Sequence, residues 1–248
     1  MKKLRGILRL IGFALVTGFL ATKALVRLRL NRGELATIRG EFTLWAQLSM
    51  KVLGIELEMK GSFPEQEVLF LPNHRSYIDI ACFPLHKLVV FVAKIEVNRW
   101  PLIGYAARVV QTVFVDRKDP ESRKKTREAM KSRLERGYSV VVFPEGTTAQ
   151  APEIKEFRPG MFFVAAEGDI PVVPVAIEYA EPSDAFIGED TFVPHFLRTF
   201  GKSKTKVRIA LGPIMTQSDG EVLRQEVSTW VTQEAAKLRE GFLQSVPQ

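Results

Sequence analysis

A chain of 248 residues can bury a sizeable core and fits one domain with an appendage. With 46% apolar and 25% charged residues it is neither disordered nor wholly membrane-embedded, and its single cysteine, Cys82, excludes an internal disulfide framework or a Cys-based zinc cluster. The net charge of +7 sits at one end: residues 1–32 carry eight Lys and Arg and no acid, so the 35 basic groups fall to 27 beyond them, against 28 acidic. That asymmetry speaks against a broad nucleic-acid-binding face.

The first element lies among those charges. Leu10–Thr22, "LIGFALVTGFLAT", is thirteen residues without a charge. As a helix it reaches roughly 20 Å, short of a hydrocarbon core of roughly 30 Å. Extending it to Arg5–Arg27 spans a bilayer only if Arg9 and Lys23 snorkel to opposite interfaces. A second apolar-rich stretch follows at Leu35–Ile55, where Trp45 is of a type that settles at headgroup depth with Phe42 beside it. A cleaved signal peptide fits the basic start but lacks an A-x-A site. A spanning helix and an interfacial helical hairpin with basic flanks on anionic headgroups are the other readings, and the hairpin is favoured. This assigns residues 1–58 to membrane-associated helices and residues 59–248 to an α/β domain.

From about residue 60, short apolar runs alternate with amphipathic stretches, which predicts a largely parallel sheet flanked by helices. Strands are expected at Val68–Leu71, Leu88–Ala93, Thr112–Val115, Ser139–Phe143, Val172–Ile177 and Lys206–Leu211. Asp119-Pro120-Glu121 opens a helix that Gly137 closes, and Ser218 with Glu221 reads as a capping box ahead of a final amphipathic helix. Residues 181–205, with Pro182, Gly188, Pro194 and Gly201, read as one long surface excursion.

Of three histidines, His86 has no acid within five residues and His195 falls in that excursion. His74, in "LPNHRSYIDI", follows a strand, and Asp79 stands five positions on. Ligands of an open parallel sheet sit beyond the carboxyl ends of its strands. Across a turn, the Asp79 carboxylate can fold back onto an imidazole nitrogen, fixing the tautomer of a base that activates a hydroxyl. The alternative is the polar start of a helix with Ser76 as N-cap. As a metal site the pair lacks an evident third ligand.

"VVVFPEGTT" runs a strand into Glu145, Gly146 and Thr147. There Gly146 lets the backbone approach a ligand, and Thr147 and Thr148 offer groups suited to a phosphate. In "TVFVDRKD", Arg117 follows a strand and can bind a phosphate bidentately. Lys94 and Arg158 are further cationic candidates, with solvated surface charge as the alternative.

In this order "NHRSYID", "QTVFVDR", "FPEGT" and "VVPVAI" resemble the four blocks of the glycerolipid acyltransferase family, most closely its lysophosphatidic acid acyltransferases, over roughly residues 60–215. The resemblance implies a glycerol-3-phosphate acyltransferase-like fold, with His74 as general base and Asp79 as its orienting partner. It implies that Arg117, Glu145, Gly146 and Thr147 hold a glycerol phosphate, helped by Lys94 and Arg158, and that Pro174 shapes the pocket. The implied reaction moves a fatty acyl group from acyl-CoA or acyl-carrier protein to the sn-2 hydroxyl of lysophosphatidic acid, in phospholipid biosynthesis. It needs no metal or other cofactor and takes place at the cytoplasmic face of a bacterial inner membrane. Two departures bear on the headgroup: Gln111 stands where the second block usually opens with glycine, and Thr148 where an arginine is common. The "FPEGTT" form is similar to that of members acting on lyso-ornithine lipid or lysophosphatidylcholine, which are the alternative acceptors. A non-catalytic lipid-binding protein of the same fold is the alternative from another class.

Overall fold

In the computed structural model, which describes residues 1–244, the apolar runs become seven strands and the amphipathic stretches eight helices. In chain order these are α1 (Lys2–Leu30), α2 (Arg39–Leu53), β1 (Ile55–Lys60), β2 (Leu69–Pro72), α3 (Asp79–Cys82), β3 (Val89–Lys94), α4 (Pro101–Val109) and β4 (Val113–Val115). Then come α5 (Pro120–Glu135), β5 (Ser139–Val141), α6 (Gly160–Glu167), β6 (Val172–Tyr179), α7 (Phe192–Phe200), β7 (Thr205–Leu211) and α8 (Gly220–Gln244). The sheet order is β1-β7-β6-β2-β5-β3-β4, parallel throughout except between β6 and β7. β2, β5 and β6 are buried along their whole length, because helices cover both faces, and their sequences accordingly do not alternate. One face packs on α1, α2 and α7, the other on α6 and α8. The carboxyl ends of β2, β3, β4, β5 and β6 share one edge of the sheet, and the quoted motifs leave the sheet there.

All six expected strands form, but β1 was not among them. "IELEMK" alternates apolar and charged residues, as an edge strand half open to water does. It straddles the boundary drawn between 58 and 59, so the N-terminal helices run directly into the sheet.

Those helices form the expected hairpin, but it is bound along the body of the protein. Leu20, Ala21, Ala24 and Leu28 of α1 and Phe42, Ala46 and Met50 of α2 are core residues. Arg9 does not reach for an interface: its guanidinium donates to the carbonyls of Phe200, Lys202 and Ser203 at 3.0, 2.7 and 2.9 Å, closing the C-terminal end of α7. Trp45 and Phe42 likewise turn inward. The Trp45 indole donates to Thr17 Oγ1 at 3.0 Å, and the Phe42 ring stacks on it at 6.1 Å. What remains outside is the other side of α1, where Leu4, Leu8, Ile11, Leu15, Phe19 and Val26 form an exposed apolar stripe at helical spacing.

Residues 181–205 are not one surface excursion. They contain α7, whose Phe196 and Phe200 are fully buried, Phe196 against Phe13 of α1, while His195 is buried between Tyr77 and Ala185. The apolar stripe Phe192-Phe196-Phe200 has helical spacing, and Pro194 is tolerated because it lies in the first turn. At α8 the N-cap is Asp219 and not Ser218: Asp219 Oδ1 accepts the N–H groups of Glu221 and Val222 at 2.7 and 3.1 Å. Asp119 caps α5 as its sequence predicts.

Candidate active site

β2 ends at Pro72, and Asn73 continues its ladder with a side chain, exchanging hydrogen bonds with the N–H and carbonyl of Ile177 at 2.7 and 2.9 Å. The chain then turns so that Asp79, the first residue of α3, lies under His74. Nδ1 of His74 is 2.8 Å from Asp79 Oδ2. The same oxygen accepts the backbone N–H groups of Arg75 and Ser76 at 2.8 and 3.0 Å, and Oδ1 accepts the Tyr179 hydroxyl at 2.6 Å. Asp79 is fully buried, and these four donors compensate the loss of water. The imidazole stacks on Phe143 with centroids 3.9 Å apart and remains a fifth exposed. With Nδ1–H donated to the carboxylate, Nε2 is the free, basic nitrogen.

Glu145 is placed differently from the role the resemblance implies. It is buried, and its two oxygens accept the backbone N–H groups of His74 at 2.6 Å and Lys155 at 2.8 Å. It therefore clasps the His74 turn to the loop before α6, with each oxygen engaged by a backbone N–H. Burial pushes its carboxyl up to about 7, against the two backbone N–H groups that pull it down.

Gly146, at φ +76, does meet the cations. A Cβ there would lie 2.8 Å from Arg158 Nε and 3.2 Å from Arg117 Nη1. Only glycine lets both guanidiniums close over this backbone. Burial, and then Arg158, lowers Arg117 to about 10. Lys94 is lowered by burial and then by Arg117. Among the described residues none of these three cations forms an ion pair. Mutually repelling cations without an ion pair, next to the clasp on the His74 turn, suit an anion. Thr147 sits half-buried next to them. Gly146→Ala is expected to push the guanidiniums aside and raise the KM for a phosphate-bearing acceptor roughly tenfold, which steady-state kinetics with the acceptor varied will check.

Two residues from the resemblance point away from the site. Thr148 donates its hydroxyl to the Phe186 carbonyl. Pro174 sits mid-strand opposite Leu71, with its ring against Gly212. Gln111 is left-handed, φ +55, a conformation glycine adopts without strain, and its side chain donates to the Gly33 carbonyl at 2.9 Å. Tyr179, Phe143 and the pair Arg75–Glu178 escaped sequence reasoning. Arg75 is buried with Nη2 2.6 Å from Glu178 Oε1, and it also donates to the carbonyls of Ala149 and Glu153. The one available signal was the acid inside the apolar run "VVPVAIEY".

Beside the turn, an apolar cavity of about 130 Å³ runs between α1, α2 and α4 from Tyr77 and Ile78 past Phe13, Leu20, Ala24, Ile103 and Val110. The His74–Asp79 pair and the cations over Gly146 thus lie at one edge of the sheet, and the apolar cavity reaches the same turn at Tyr77 and Ile78.

The family described as Acyltransferase matches residues 54–178. A lyso-ornithine lipid O-acyltransferase of Pseudomonas aeruginosa is 32% identical, covering 88% of this chain and 88% of its own length. A chloroplastic 1-acyl-sn-glycerol-3-phosphate acyltransferase of Arabidopsis thaliana is 31% identical over 54% of this chain and 39% of its own. The crystal structure of the 1-acyl-sn-glycerophosphate acyltransferase of Thermotoga maritima shares the fold, with a TM-score of 0.73 at 20% identity over 96% of this chain and 98% of that one. With the motif geometry in place and the match spanning half its residues, the chain belongs to the acyltransferase family.

Proposed function

We propose that this protein is a lysolipid O-acyltransferase that converts lysophosphatidic acid to phosphatidic acid, with acyl-CoA or acyl-carrier protein as donor. The observation that carries the reading is the cluster of Arg117 and Arg158 over Gly146, with Lys94 close enough to feel both charges and none of the three in an ion pair among the described residues, one residue from the clasp that holds His74. A phosphate monoester, with up to two negative charges and no cation of its own, satisfies it best; ornithine and phosphocholine headgroups each offer one anionic group but bring a cation with it.

In this reading Nε2 of His74 takes the proton of the sn-2 hydroxyl as that oxygen attacks the thioester carbonyl. The C–O bond forms, the C–S bond breaks, and the imidazolium returns the proton to the leaving thiolate. Asp79 holds the ring and stabilises the imidazolium. The apolar cavity beside Tyr77 receives a fatty acyl chain. The exposed stripe Leu4–Val26 of α1, with Lys2, Lys3 and Arg5 at its start, lies on an anionic bilayer and brings the site to its acceptor. A cytosolic thioester donor places this on the cytoplasmic face. A second reading, transfer to lyso-ornithine lipid, is favoured by the relative from Pseudomonas aeruginosa and by the threonine at position 148.

The test uses purified protein, acyl-CoA and anionic vesicles carrying lysophosphatidic acid, lyso-ornithine lipid or lysophosphatidylcholine in turn. Phosphatidic acid is expected to form fastest, and the protein to sediment with the vesicles and be released by salt. Faster acylation of lyso-ornithine lipid overturns the headgroup assignment. Protein that stays in the supernatant while acylating at full rate overturns the membrane docking.

A further inference from the structure

Asp79 uses its two oxygens unequally. Oδ2 accepts three hydrogen bonds, from Nδ1 of His74 and from the N–H groups of Arg75 and Ser76, whereas Oδ1 has a single partner, the Tyr179 hydroxyl at 2.6 Å. The three bonds converge on one atom, so the plane of the carboxylate is set by what holds the other. Tyr179 is the last residue of β6, the strand beside β2, and Asn73 stitches the two strands together at Ile177 just before the His74 turn. The hydroxyl is thus delivered by a rigid element, from a nearly buried side chain.

The alternating side chains of β6 brace the motif from both faces. Glu178 points to one side and holds Arg75, the residue after the histidine; Tyr179 points to the other and holds Asp79. Burial, and then the Asp79 charge, pushes the Tyr179 hydroxyl well up, so it remains a neutral donor at every working pH.

We infer that Tyr179 is a positioning residue: by holding Asp79 Oδ1 it fixes the plane of the carboxylate and, through it, the ring of His74. This rests on the reading of His74 as the general base. The other titratable groups facing the pair are Cys82 on α3, Glu145 after β5, Arg75 on the turn and Asp184 after β6. None can replace the bond. Glu145 is engaged by backbone N–H groups, Arg75 by Glu178 and Asp184 by Lys202, and the Cys82 thiol interacts with the Ile78 carbonyl.

The test is Tyr179→Phe, which keeps the ring and removes one oxygen. With lysophosphatidic acid and acyl-CoA, kcat is expected to fall roughly tenfold while the KM for the acceptor stays within about twofold. The acid limb of the kcat/KM profile is expected to move to higher pH. With one donor gone, more of the carboxylate charge acts on the imidazolium, which then keeps its proton to higher pH. In an Asp79→Asn background the same substitution is expected to change kcat by no more than about twofold, because its effect travels through the carboxylate. An unmoved acid limb, or an equal loss in the Asp79→Asn background, overturns the inference even if Tyr179→Phe lowers the melting temperature. His74→Ala measured alongside separates the two readings. If it retains activity, the base assignment falls; if it is inactive while Tyr179→Phe matches wild type, only the positioning role falls.

Discussion

Replacing His74 with alanine is expected to slow acyl transfer roughly 10²–10⁴-fold, the range associated with loss of a general base, while the melting temperature stays near that of wild type. The reason for expecting so selective an effect is geometric. The imidazole is partly exposed, and its one side-chain hydrogen bond is to Asp79, which keeps three other donors when the ring is gone. The structural bond at this position, from the His74 N–H to Glu145, belongs to the backbone and survives in alanine. The cation cluster is also untouched, so the acceptor KM is expected to hold. Initial rates with saturating donor check this, and a rate within about tenfold of wild type would remove His74 as the base.

Glu178→Leu is expected to cost the most stability, roughly 3–5 kcal/mol, with a melting temperature lower by roughly 6–20 °C for a chain of this size. Glu178 is fully buried on β6 and takes both Arg75 Nη2 at 2.6 Å and Arg239 Nη1 of α8 at 2.8 Å on one oxygen. Without the carboxylate, the equally buried Arg75 charge keeps only carbonyl partners. Because Arg75 adjoins His74, activity is expected to fall with stability. Removing both charges, as Arg75→Met with Glu178→Leu, is expected to recover most of the melting temperature, since neither is then left alone. Thermal and urea denaturation of the single and double variants decide it; a single variant as stable as wild type would show that the pair carries no such energy.

The legible features were those written over a few consecutive residues. Six strands showed as short apolar runs, α5 by its Asp119 cap, and the His74–Asp79 contact by a five-residue spacing at a strand end. β1 is written as an alternation of apolar and charged residues, which the longer apolar stretch before it masks. α7 was hidden because Pro182, Gly188, Pro194 and Gly201 read as breakers, while the stripe of phenylalanines that buries it follows the longer helical period.

What stayed out of reach was the direction in which a side chain faces. Glu145, Gly146 and Thr147 are neighbours in the chain, yet Glu145 turns inward to two backbone N–H groups while Gly146 lies under two guanidiniums. Arg9, Phe42 and Trp45 have the composition of interfacial residues, and packing on α7 and α1 turned them inward. From the sequence alone follow the α/β class, the edge of the sheet where the motifs gather, and the contact of His74 with Asp79, because a parallel sheet delivers its strand ends to one side and the pair is joined by one turn. The tertiary structure alone decided what holds that pair: Tyr179 and Glu178 lie about a hundred residues away on the adjacent strand, and strand adjacency is settled by how the whole sheet packs, which no local spacing records.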